Sequence, residues 1–380
     1  MLAGSLAAVA GSPLEGGYAV VVSKATREDP AWADVVRALE ETYDAPVIVY
    51  EQAVEEALPR LRETFPRFTG FVARPEEANR AFVAQVQQMT RRLDDDPYTD
   101  TLWGIVTGFD AASALRIARR REPLVVRTAA AGTEIALECC PQGEWFDELR
   151  AGHHVEKPAG GSPRETTVPT DTTRAIVACL NSGRVDLFVT SGHATERDWQ
   201  IGYAYRNGQF RSKAGALVGI DTKGERFPVR SENPKVYLAV GNCLMGDIDG
   251  PDAMALAWLS AAGVDQMAGY TVTTWYGYGG WGWLDYFVEQ PGRYSLAEAF
   301  HANGHALIHR LSRPELSAND RRGLLYDRDS VVLYGDPAWD ARLADGPRAW
   351  EQSLTESDGV FTFTIRPNRG AETFRPVNTN

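Results

Sequence analysis

Residues Lys235–Asp247 read KVYLAVGNCLMGD, and residues Val185–Trp199 read VDLFVTSGHATERDW. Each begins as a short, continuous apolar run of the kind that forms a strand buried on both faces. Each ends abruptly in a reactive side chain, Cys243 in the first and His193 in the second. In parallel α/β sheets, ligands bind beyond the carboxyl ends of the strands. If the two strands are neighbours, the thiol and the imidazole meet on one edge.

Working outward, the first half alternates strand and helix patterns. YAVVVS (18–23), PVIVY (46–50), FTGFVA (68–73) and LWGIVTG (102–108) read as strands. AWADVVRALEETY, residues 54–65 and PEEANRAFVAQVQQMTRRL read as helices between them, and Asp110 is placed to cap AASALRIARRR. Residues 143–173 are rich in Gly, Pro, Thr and charge and read as a link. The alternation then resumes with a helix near 172–180 and the His193 strand. A Gly-punctuated β-rich stretch follows, then the Cys243 strand, a helix over 251–262 and the strand VDQMAGYTVT. WYGYGGWGWLDYF enters a helix, residues 294–311 read as helical, and VFTFTIRP is a strand candidate in the tail. Strands alternating with helices imply an α/β fold with a mainly parallel sheet sandwiched by helices.

Cysteine hydrolase chemistry needs a thiolate, an imidazole to protonate the leaving amine, and N–H groups aimed at the developing oxyanion. Gly192 and Gly241 let the chain turn at the two strand ends, and Gly246 with the helix after Pro251 offers backbone donors near the sulfur. Taken singly, each residue has a plainer reading. A Cys after a strand is commonly a small buried hydrophobe, and a strand-end His is commonly a hydrogen-bonding side chain. The pairing in this order, each after an apolar strand, favours catalysis.

Composition narrows the field. The chain of 380 residues is 44% hydrophobic and 24% charged, the balance of a globular protein with a sizeable core. A net charge of −12 argues against nucleic acid as partner, because phosphate contacts need clustered Lys and Arg. No apolar run approaches the length of a membrane span. Four cysteines, two of them adjacent, build neither a disulfide framework nor a CxxC zinc site. The start, MLAGSLAAVAGSPLEGG, carries Ala8-Val9-Ala10 as at a signal-cleavage site but lacks a basic n-region. Residues 1–17 are read as a leader or remnant signal, and the protein as secreted or attached to the cell envelope.

The two strand ends resemble the clan of cysteine peptidases that includes caspases, legumains, clostripain and gingipains. Three motifs are similar to gingipains in particular: Cys243-Leu244-Met245-Gly246-Asp247, the Ala-rich helix DAMALAWLSAAGV with the Trp of GYTVTTW, and VVLYGDPAW (331–339). The resemblance spans about residues 18–342. It implies a caspase/gingipain-like fold of two subdomains, an N-terminal one over 18–145 and a catalytic one over 146–345, followed by a C-terminal β/tail segment over 346–380. It implies a cysteine endopeptidase acting on a protein or peptide substrate through a His193–Cys243 dyad. The oxyanion hole would be the backbone N–H groups of Ala194 and Cys243, and Trp275 would line the substrate pocket. No cofactor is required, and the resemblance leaves room for structural calcium. Ala194 stands where most relatives have Gly after the catalytic His.

Two other readings stay beside this one. A catalytically silent relative would bind peptide through the aromatic WYGYGGWGW loop. A metal-dependent hydrolase would use His301 and His305, which share a helix face with His309, although the HEXXH pattern is missing. The Gly-Asp-Pro of residues 335–337 reads as a turn closing a strand.

Overall fold

A computed structural model describes residues 16–274 and 277–374. The leader reading falls almost wholly on residues 1–15, outside the described residues, as do Trp275 and the last six residues.

Twelve strands form one sheet flanked by helices. Across it run Val47–Tyr50, Tyr18–Ser23, Phe68–Val72, Leu102–Val106, Val331–Tyr334, Val264–Tyr270, Lys235–Ala239, Leu187–Thr190, Thr128–Ala131, Gln142–Phe146, His153–Lys157 and Arg164–Thr167. The four strands of the first half pair in parallel. From Val264–Tyr270 through to Gln142–Phe146 the second half is parallel as well. Val331–Tyr334 joins the halves, parallel to Leu102–Val106 and antiparallel to Val264–Tyr270. The two halves therefore present their carboxyl edges on opposite sides.

The joining strand is tied down by Asp336 in the turn after it. Tyr18 and Tyr43 donate to its two carboxylate oxygens at 3.1 and 2.6 Å, and the Ala338 amide donates at 3.0 Å. A fully buried carboxyl is costly unless such donors meet it.

Local expectations hold where the apolar period is strong. Asp110 caps the helix Ala111–Ala118 by accepting from the Ser113 amide. Three expectations change. The helix read over 75–93 is confined to Arg80–Met89, because Asn79 caps it and Glu77 turns away to accept from Ser23, Thr26 and the Arg74 amide. The stretch read as a link holds the strands Gln142–Phe146, His153–Lys157 and Arg164–Thr167, which extend the sheet as a meander. In the tail, Val360–Pro367 pairs with an unforeseen strand, Trp350–Ser357, to make a separate hairpin. The Gly-punctuated stretch forms a four-stranded antiparallel sheet from Asp198 to Val229. A helix over Ala318–Arg328 escaped the sequence reading because its buried side is only Gly323, Leu324 and Asp327.

Candidate active site

Lys235–Ala239 and Leu187–Thr190 are adjacent and parallel, with Ala239 opposite Thr190. Cys243 and His193, each a few residues past its strand, therefore lie on one edge. They line a single open cavity of about 410 Å³ with Glu148, Leu149, Ser191, Tyr203, Thr274 and Trp281. Five neighbouring parallel strands end at this edge and bring Cys243, His193, Thr274 and Glu148 to it, with Thr133 beside Glu148. Val264–Tyr270 leads to Thr274, Thr128–Ala131 to Thr133, and Gln142–Phe146 to Glu148.

The loops are locked together beneath the cavity. Asn242, fully buried, donates through Nδ2 to the Gly192 carbonyl at 3.0 Å and accepts from the Thr190 hydroxyl. Gly192 has φ +92°, a region that disfavours side chains. A Cβ there would also lie 3.0 Å from Glu148 Oε2. After the cysteine, Leu244 sits at φ +58°, uncommon for a side-chain-bearing residue and concentrated at functional sites.

The donors near the sulfur differ from the sequence expectation. The Leu244 and Gly246 amides donate to the Val272 and Tyr270 carbonyls. The next helix begins at Met254, whose amide donates to the Glu196 carbonyl. The amides of Leu244, Gly246 and Met254 are therefore taken, the first two because the turn after Cys243 is stitched to the neighbouring stretch of chain. The amide that does reach the sulfur belongs to Thr274, at 3.2 Å. Among the described residues, the amides of Ala194 and Cys243 have no acceptor. Ala194 lies beside Trp199 in an isolated antiparallel bridge, held by the bonds Gln200 N–H to His193 O and Thr195 N–H to Asp198 O.

His193 is exposed, and its ring lies on that of Tyr203, with centroids 4.7 Å apart and planes 31° apart. Glu148 is the residue the sequence reading missed. Thr133 donates to its Oε1 at 2.8 Å, while Oε2 is buried without a hydrogen-bond partner. Burial pushes the carboxyl up to about 7; Thr133 and the nearby Ser191 hydroxyl oppose that rise, although Ser191 makes no formed bond to Oε2. A signal did exist. GEWF precedes Asp147-Glu148, so reading it as a strand would have placed Glu148 at the same edge.

The imidazoles of the histidine helix meet neighbouring chain atoms. His301 Nε2 accepts from the Trp103 amide at 2.8 Å, and burial pushes its pKa down to about 3. His305 bonds the Thr99 carbonyl, and His309 faces the Tyr98 hydroxyl. The three imidazoles dock one helix onto residues 98–103 and are not brought together, because one helix face spreads them along its axis. Among the described residues, Asp94, Asp96 and Asp100 have carboxylate oxygens within 4.8 Å of one another. One oxygen of each accepts loop amides, at Asp96, Tyr98 and Leu93 respectively. The group is a self-capped turn, and it carries no argument for calcium.

The fold is that of the caspase/gingipain-like α/β proteins. Among solved structures the chain is similar to the Arg-specific cysteine proteinase gingipain R. The TM-score is 0.54 and the identity 11%, over 91% of this chain and 83% of that one. At that identity the likeness is one of fold. No protein-family model and no curated protein sequence matches the chain.

Proposed function

We propose that this protein is a cysteine endopeptidase in which Cys243 is the nucleophile and His193 the proton-transfer group. The supporting observation is that thiol and imidazole, 50 residues apart, line one open cavity at the carboxyl edge of adjacent parallel strands. The Cys243 sulfur, as thiolate, adds to the peptide carbonyl carbon. The oxygen takes the negative charge, facing the amides of Ala194 and Cys243. His193 passes its proton to the nitrogen, the C–N bond breaks, and a thioester remains. Water, deprotonated by His193, then adds to the thioester, and the thiolate departs as the acid product leaves.

Thr274 N–H holds the sulfur in place in the resting site. Glu148 lines the same cavity as the dyad. The catalytic roles, the peptide substrate and the part of Trp275 in the pocket belong to this proposal.

The test is labelling with a peptidyl acyloxymethyl ketone mixture on wild type, Cys243→Ala and His193→Ala. Labelling of wild type alone supports the dyad. A folded wild type that stays unlabelled, or equal labelling without His193, overturns catalysis in favour of a silent peptide-binding relative.

A further inference from the structure

We infer that Tyr203 is the positioning residue of His193, an aromatic face doing the orienting that a carboxylate does in many hydrolases. The inference rests on the peptidase reading and names how its histidine is held. Among the described residues the His193 side chain has no hydrogen-bond or ion-pair partner. Glu148 is near in space, across Gly192, but makes no bond to the imidazole. The contact that sets the plane of the His193 ring is the Tyr203 ring, at 4.7 Å and 31°.

That ring is held for the purpose. The amides of Tyr203 and Ala204 both donate to the Glu148 carbonyl, at 2.8 and 3.0 Å. Tyr205 donates its hydroxyl to the Asp147 carbonyl at 2.7 Å and receives Asn207 Nδ2 at 3.2 Å. The segment is therefore pinned to the end of the Gln142–Phe146 strand. Tyr203 itself remains 51% exposed, so its ring face is open to the cavity. It also lines both the Cys243 cavity and an adjoining polar trough with Asp198, Gln200 and Asp221. A flat ring in this place fixes the imidazole plane by stacking, and its π-face attracts the ring when it is cationic. Neither action needs the hydroxyl.

The test uses Tyr203→Leu and Tyr203→Phe in the full chain, with two readouts. One is the second-order rate of Cys243 labelling by the ketone probe. The other is the ring-current shift of the His193 carbon-bound ring protons in a ¹H–¹³C spectrum, assigned with His193→Gln. Leu is expected to slow labelling by about 10- to 100-fold, the scale of a misplaced catalytic group, and to move the His193 signals, with the fold intact by circular dichroism. Phe is expected to restore both. Wild-type labelling by the Leu variant, or failure of Phe to restore the rate, overturns the assignment. If wild-type Cys243 does not label at all, the peptidase reading falls separately. Tyr203 is then judged on the spectrum alone, and unmoved His193 signals in the Leu variant overturn it.

Discussion

The Asn242 side chain donates to the Gly192 carbonyl at 3.0 Å, joining the residue before Cys243 to the residue before His193. Further out the same two loops are joined by the Arg197–Asp249 ion pair at 2.7 Å and by the Met254 amide on the Glu196 carbonyl. Thr190, at the end of the His193 strand, donates to the same Asn242 and is itself bonded to Tyr237 on the Cys243 strand. Asn242→Ala is expected to destabilise the fold by about 1–3 kcal/mol, since it strands buried polar groups. It is also expected to slow Cys243 labelling more than it shifts unfolding. Urea denaturation and probe kinetics on the same preparation check both.

Glu148 sets a pH dependence of stability. Its folded pKa, about 7, lies above the ordinary carboxyl value of 4.5. The folded state therefore binds the extra proton, and this contribution is complete at low pH and is lost as pH rises through about 7. Relative to Glu148→Gln, the wild type is expected to lose up to ~3 kcal/mol between pH 5 and pH 8. Paired urea titrations at the two pH values measure the difference. An unchanged gap would mean the carboxyl is not buried as described.

His301 works in the opposite direction. Its folded pKa, about 3, lies below the ordinary 6.5, so the fold holds it neutral. Its contribution is present above pH 6.5 and drains away as pH falls from there towards 3. Compared with His301→Gln, the wild type should lose about 1.4 kcal/mol per pH unit below 6. Zinc and chelators should leave both unfolding curves in place, because the imidazoles are spent on Trp103, Thr99 and Tyr98.

Tyr43→Phe removes one of the two phenols on the buried Asp336 and leaves Oδ2 without its donor. A loss of about 1–3 kcal/mol is expected, read by thermal or urea unfolding. Cys243 labelling should hold, since Asp336 ties down the turn after Val331–Tyr334 and no part of it lines the cavity.

What the sequence determined by itself is what local chemistry encodes. The apolar runs YAVVVS, DLFVTS and KVYLAVG became strands because a short uninterrupted apolar run has few other stable fates in a sheet protein. The placement of Cys243 and His193 on one edge followed from their positions past such runs, given parallel pairing. Asp110 needed only its own helix to act as cap.

The tertiary structure alone decided the rest. GEWF hints at a strand, but it is the pairing with Thr128–Ala131 that makes residues 142–146 one and sets its place in the sheet. Glu148 and Tyr203 join the site through that pairing, from positions 45 residues before and 10 after His193. The amides of Leu244 and Gly246 looked available in the sequence but are taken by the Val272 and Tyr270 carbonyls, 28 and 24 residues further along. Hydrogen-bond partners and burial are non-local quantities. A residue's type states what it can donate or accept, and only the packed neighbours decide what it meets.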